Sequence, residues 1–174
     1  MQKKSDSDVD NFAENFSENQ ANVDNSSTAD NNRNSQAIGI SRGGRTTKIH
    51  ALVGDDVKPI CLMLSEGNVN DCSVAVELLS LTTIEGKAIL GDKAYGTREI
   101  MDYIRENGGT FCIPPKSNTK EPWEFDEELY KGRNVVERFF NQIRQYRAVA
   151  MRYDKLAKRF FSVVLLASIM VLLK

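Results

Sequence analysis

Histidine, tryptophan, cysteine and proline are all scarce: the 174 residues include one His, one Trp, three Cys and four Pro. Cys61, Cys72 and Cys112 stand far apart, with no CxxC pair and no Cys/His cluster. That argues against structural zinc and fits reduced thiols in a cytoplasmic protein. No apolar core follows Lys3 and Lys4, so the pattern of a secretory signal is absent. A membrane-length hydrophobic run is absent too. The longest, from Phe160 to Leu173, falls short of the roughly 18 residues that span a bilayer. It is expected to be a buried helix, and no membrane partner is expected.

A large net charge is also lacking, since the formal value is -1. The charges are nevertheless uneven. Residues 1–37 hold seven acidic side chains against three basic ones, which leaves 20 basic against 17 acidic in the remainder from totals of 23 and 24. A mildly basic body suits a polyanionic partner without demanding one. Residues 1–37 are rich in Asn, Ser, Asp and Glu, interrupted by few large apolar residues (Val9, Phe12, Phe16 and Val23). Such a segment buries too little surface to offset its ordering entropy, so 1–37 reads as a disordered acidic segment and 38–174 as the folded domain.

From Ala37 the texture changes. Lys48–Val53 and Pro59–Ser65 read as strands joined at Asp55-Asp56, which predicts a hairpin. Asp71 is a plausible N-cap for a helix carrying Val74, Leu78 and Leu79. A short buried strand is expected at Lys87–Leu90, a helix at Thr97–Asn107 ending at Gly108-Gly109, and another strand at Thr110–Ile113. A long helix over Leu129–Tyr146 and a last one over Leu156–Leu173 complete a mixed α/β domain of three layers.

Several residues could carry chemistry. Asp92 follows a short apolar strand, where a carboxylate is held rigidly enough to bind a metal, although a turn or N-cap aspartate would look the same. Tyr130, Arg133, Glu137 and Arg144 recur at helical spacing, so an acid, two guanidiniums and a phenol share one face. The acid suits Mg²⁺ and the cations suit phosphates, while the bland reading is a solvated face with ion pairs. Arg42, Arg45 and Lys48 lie in a basic, glycine-containing stretch able to grip a DNA backbone. His50 reads as a strand residue rather than a ligand. Arg138, Arg144, Arg147, Arg152, Lys155, Lys158 and Arg159, interleaved with Tyr146 and Tyr153, suggest a phosphate-contacting surface.

Four ordered strings carry a family resemblance over about residues 36–174. They are Ala37–Val53 with its Ser-Arg-Gly-Gly core, Gly67-Asn-Val-Asn-Asp71, Leu90-Gly-Asp-Lys-Ala-Tyr-Gly96, and the series Tyr130, Arg133, Glu137, Arg144. The last resembles a Y-(2)-R-(3)-E-(6)-K signature with Arg144 in place of lysine. Together with Arg152–Lys155 and the apolar C-terminal helix, they resemble the bacterial insertion-sequence transposases of the DDE class.

The resemblance implies an RNase H-like fold with three carboxylates around two Mg²⁺ ions, Mn²⁺ being able to substitute. Asp92 then corresponds to the second acid and Glu137 to the third, with Tyr130, Arg133 and Arg144 on phosphates or transposon-end DNA. The implied partners are DNA, as transposon ends and target, and a second transposase chain. The family's first Asp sits on an apolar strand upstream of the Ser-Arg-Gly-Gly motif. Here the nearest match is Asp24, with Asp10 behind it, and neither lies in strand-like surroundings. The first strand is therefore expected to be missing or degraded, as in an N-terminally truncated copy. Two functions follow: a DNA transposase with impaired activity, or a catalytically dead remnant that only binds DNA or a partner. A metal-dependent nuclease of another family on the same fold ranks third.

Overall fold

The computed structural model describes residues 36–42 and 44–174, and Gln36–Lys174 form one compact unit. Asp10, Asp24 and nearly all of the expected 1–37 segment lie outside the described residues. The body opens with β1 (Gly39–Ser41), β2 (Gly44–Val53) and β3 (Pro59–Glu66), an antiparallel sheet with β2 in the middle. β2 and β3 pair from Thr47↔Glu66 to Val53↔Pro59, so the predicted hairpin is present and starts earlier than expected. The basic stretch around Arg45 is thus strand, paired with β1 through Ile40↔Arg45. Gly67 closes the hairpin from the other end. Its N–H donates to the Thr46 carbonyl at 3.0 Å, and a side chain there would collide with Thr46.

Then come α1 (Asp71–Ser80), β4 (Ala88–Leu90), α2 (Arg98–Glu106) and β5 (Thr110–Cys112). β4 and β5 form a second, parallel sheet of two strands that is not hydrogen-bonded to the first. The N-cap of α1 is Asn70, whose side chain accepts from Cys72 N, and not Asp71, which is the first helical residue. Asp71 is drawn away from capping by Lys48, whose ammonium donates to its carboxylate at 2.7 Å. Thr97 caps α2 as its position predicts, through Ile100 N.

The long helix expected at Leu129–Tyr146 is broken up. It becomes α3 (Glu127–Tyr130), a 3₁₀ turn at Lys131–Arg133, α4 (Asn134–Ile143) and, after a turn, α5 (Arg147–Ala150). Tyr130, Lys131, Arg133 and Asn134 all keep right-handed helical dihedrals. The chain thus tightens at Gly132 rather than turning away, as expected where a poor helix former sits. α6 (Ala157–Leu172) ends the fold.

Two apolar cores result. One joins α4 and α6, through Phe139, Ile143, Phe160 and Val164, to Ile49, Ala51 and Val53 on one face of β2. The other joins α1 and α2, through Leu79, Ile100 and Ile104, to Leu52 and Ile89 on the opposite side. The alternation along β2 puts helices on both faces, giving the three layers expected.

Two expectations need correction. β4 is not buried: Ala88 is exposed, and Ile89 and Leu90 are only half-buried. A strand is shielded on its edge by its neighbour, and β4 has one described neighbour. Nor is α6 buried all round. Phe160, Val164, Ala167, Ser168 and Val171 face the core, while Leu166 is 63% exposed, and Ile169, Met170 and Leu172 are also exposed. A helix apolar on every face cannot indicate from composition which side is covered. Among the described residues no helix is long and apolar enough to cross a membrane.

Candidate active site

A trough of about 1300 Å³ runs between β2 and β4, and Asp92, Glu137, Arg133 and Arg144 all line it. Asp92 follows the end of β4. Its Oδ1 accepts from Ala94 N at 2.7 Å, capping the 3₁₀ turn Lys93–Tyr95. The cap occupies one carboxylate oxygen, and a carboxylate has a second oxygen to offer. Asp92 is therefore both the turn aspartate of the bland reading and a carboxylate held at the end of a strand.

Glu137 lies in the first turn of α4, where the helix dipole favours an acid. Arg133, one turn earlier, donates to its Oε1, so the i,i+4 pair of the bland reading is present. The Glu137 side chain remains 58% exposed, so the pair does not bury it. The Arg133 guanidinium also sits 5.9 Å from the centre of the Tyr130 ring, which packs edge-on against Phe125 at 5.7 Å. Tyr130, Arg133 and Glu137 thus form a contiguous chain of contacts. Arg144 is exposed and stacks instead over Phe140, at 5.9 Å.

Asp71 was read from sequence only as a cap and a motif residue, yet it belongs to this neighbourhood. It lines the trough with Lys48, and its neighbour Cys72 donates from Sγ to the Ala94 carbonyl at 3.0 Å. Burial, reinforced by the Asp71 and Asp92 carboxylates, pushes the Tyr95 phenol up to about 12, so it stays a neutral hydrogen-bonding group. The sequence signals for Asp71 were its cap position and its place in Gly67–Asp71.

The basic residues divide. Arg42, Arg45, Arg138, Arg147, Lys155, Lys158 and Arg159 are exposed. Lys48 is committed to Asp71 and to the Val69 carbonyl, each at 2.7 Å. Arg152, expected on the phosphate-contacting surface, is turned inward. Its guanidinium donates to the Gln36 and Ala37 carbonyls at 2.6 and 2.9 Å and covers the Phe160 ring at 4.9 Å. It serves packing, because planar donors and a face that stacks on rings suit such a position.

His50 is a buried strand residue, its Nε2 2.7 Å from Ser65 Oγ. Burial holds it below its ordinary 6.5, against a smaller opposing pull from Asp71. The folded state therefore binds the proton less readily than the unfolded chain. Its contribution to stability is present above 6.5 and is lost as pH falls below 6.5 toward the lowered folded value. Urea titrations at several pH values should show the wild-type protein losing stability relative to His50→Gln on acidification. Parallel curves for the two proteins would rule this out.

Two carboxylates with hard oxygen donors suit Mg²⁺. The described residues nevertheless assemble no group of three His, Cys, Asp or Glu able to hold a metal ion.

Residues 22–172 match the family model described as a transposase DDE domain. The chain is also 32% identical over 130 residues to a Brucella ovis protein named as a transposase for insertion sequence element IS6501. That match covers 74% of this chain and 99% of the relative. No solved structure matches significantly.

Proposed function

Because the chain belongs to the DDE transposases of insertion sequences, we propose that it binds transposon-end and target DNA and takes part in metal-dependent cleavage and strand transfer. The observation that carries this reading is that Asp92 and Glu137 line one trough together with Arg133 and Arg144. In this reading residues 38–174 are an RNase H-like catalytic domain, and Asp92 and Glu137 are its metal-binding acids. When bound, Mg²⁺ or Mn²⁺ would supply charge stabilisation and an activated oxygen nucleophile. The chain's own residues do the rest. Asp92, fixed by its turn, and Glu137, oriented by Arg133, hold negative charge at defined places. Tyr130 and Phe125 stiffen Arg133. Arg144 and the exposed Arg42 and Arg45 meet phosphates, and a second transposase chain is the expected protein partner. Asp24 is the candidate first acid.

This chain alone is expected to show little or no strand transfer. A two-metal site needs a carboxylate on a rigid element, and the surroundings of Asp24 in sequence are polar and unlike a strand. Binding to DNA carrying the element's ends should persist and weaken steeply as salt rises. A cleavage assay with Mg²⁺ or Mn²⁺ on that DNA is the test. Strong metal-dependent cleavage that disappears in Asp24→Ala would overturn the expectation of impairment. Absence of salt-sensitive DNA binding would overturn the reading as a whole.

A further inference from the structure

Asp92 and Glu137 are located by different parts of the fold. Glu137 rides on α4, whose Phe139 and Ile143 pack with Ile49, Ala51 and Val53 of β2. Asp92 follows β4, a strand of three residues in a sheet that is not hydrogen-bonded to β2 among the described residues. Leu52 of β2 shares a core with Ile89 of β4. Apolar contact is non-directional, however, and does little to fix an orientation. Metal-binding side chains must be held to within about 0.5 Å of their productive places. A directional link from β2 to the turn after β4 is therefore needed.

The motif at residues 67–71 and the cysteine after it provide such a link. The Lys48 ammonium, on β2, donates to the Val69 carbonyl and to Asp71 Oδ1, each at 2.7 Å. These two acceptors stand on either side of Asn70, the N-cap of α1, whose Oδ1 accepts from Cys72 N at 3.1 Å. The first turn of α1 is thus pinned to β2. Cys72 Sγ then donates to the Ala94 carbonyl at 3.0 Å, and Ala94 N donates to Asp92 Oδ1 at 2.7 Å. Ala94 is gripped on both sides, by a thiol from α1 at its carbonyl and by the Asp92 carboxylate at its N–H. Tyr95, next in the turn, packs with Cys72 against the core of Ala75 and Leu79.

We infer that Lys48, Asp71 and Cys72 are positioning residues, which set where the Asp92 carboxylate stands relative to β2 and, through β2, relative to Glu137. The inference rests on the metal-binding role proposed for Asp92. It gives a task to a motif that the proposed function leaves unused. Lys48, expected from the sequence to grip DNA, commits two of its three donors inside the fold. The Lys48–Asp71 pair is half-buried at both ends, so it is less screened by water than a surface pair and holds its direction better. Neither Lys48 nor the Cys72 thiol is needed to start α1, because Asn70 caps it and Val74, Ala75 and Leu79 are buried. Removing either should loosen the turn at Asp92 and leave the helix in place.

Nitrogen-15 relaxation of the full chain, together with transposition in cells, tests this. The Ala94 and Tyr95 amides of the wild type should have order parameters of about 0.85, and in Lys48→Met and in Cys72→Ala they should fall below about 0.6. Cys72→Ser keeps a donor for the Ala94 carbonyl and should keep the turn rigid. The amides of residues 75–80 should stay rigid in every variant. Transposition should fall about 10–100-fold in Lys48→Met and in Cys72→Ala and stay near the wild-type level in Cys72→Ser. It should fall no further in the double variant Lys48→Met, Cys72→Ala, because links in series are not additive. A turn already loose in the wild type, a turn still rigid in the two variants, or α1 loosening along with it would overturn the inference. So would losses that multiply in the double variant. A loosened turn with unchanged transposition would uphold the bracket and overturn the metal-binding role proposed for Asp92, so the two failures are distinguishable.

Discussion

Asp92→Asn is expected to reduce transposition of the element by on the order of 10²-fold or more, because even partners outside the first coordination sphere cost 10–100-fold when removed. The substitution separates the cap on Ala94 N–H from the metal-binding role proposed for the same side chain. Asn is about as good a cap as Asp, so acceptance of the Ala94 N–H survives and the turn Lys93–Tyr95 keeps its start. What is lost is the negative charge. Asp92→Ala removes both and should in addition destabilise the fold by about 1 kcal/mol. Glu137→Gln is the companion, since an amide oxygen still accepts from Arg133 while the charge is gone. Transposition frequency in cells, where every partner chain is present, is the appropriate measurement. If Asp92→Asn moves the element as often as the wild type, Asp92 is a cap and nothing more.

The largest effect on stability is expected at Phe139. It is fully buried in the α4–α6 core and packs against Phe140, ring centres 5.5 Å apart. Truncation to Ala leaves a cavity among Ile143, Phe160 and Val164 and should cost about 3–5 kcal/mol, a large part of the total for a domain of this size. Leu166→Ala, on the uncovered side of α6, should change stability by less than about 0.5 kcal/mol. Urea unfolding of the two variants decides it, and a cost at Phe139 no larger than at Leu166 would refute the assignment of the core.

How far the sequence announces this fold depends on whether local chemistry or distant packing decides each element. The β2–β3 hairpin is legible because strand-like runs flank Asp55-Asp56. α2 is legible because Thr97 and Gly108-Gly109 mark its two ends. Both signals are local. The tightening at Gly132 is not, since a glycine within helical periodicity is compatible with a continuous helix. The placing of Asp92 after β4 and of Glu137 on a face with Arg133 and Tyr130 was readable from an apolar run and from offsets of three, four and seven. Arg152 was misread for a general reason. A guanidinium that binds phosphate and one that ties down backbone carbonyls have the same sequence, and only the chain that folds against it distinguishes them. The trough was out of reach as well, since it is a property of two edges formed by residues some forty positions apart.

The clasp at Arg152 also has a bearing on how the protein folds as it is made. Its donors hold Gln36 and Ala37 across 116 and 115 positions, and the Gln36 side chain in turn receives Ala157 N, 121 positions away. Contacts of such separation form late, because a long loop must close before they return any stability. The β1–β2–β3 sheet leaves the ribosome well before the helix that covers Ile49, Ala51 and Val53 and before the arginine that anchors its leading end, since β2 ends at Val53 and that helix starts at Ala157. Until then the sheet presents an apolar face and open strand edges to the cell. Nascent chains halted before α6 are accordingly the ones that should need chaperones, or else aggregate.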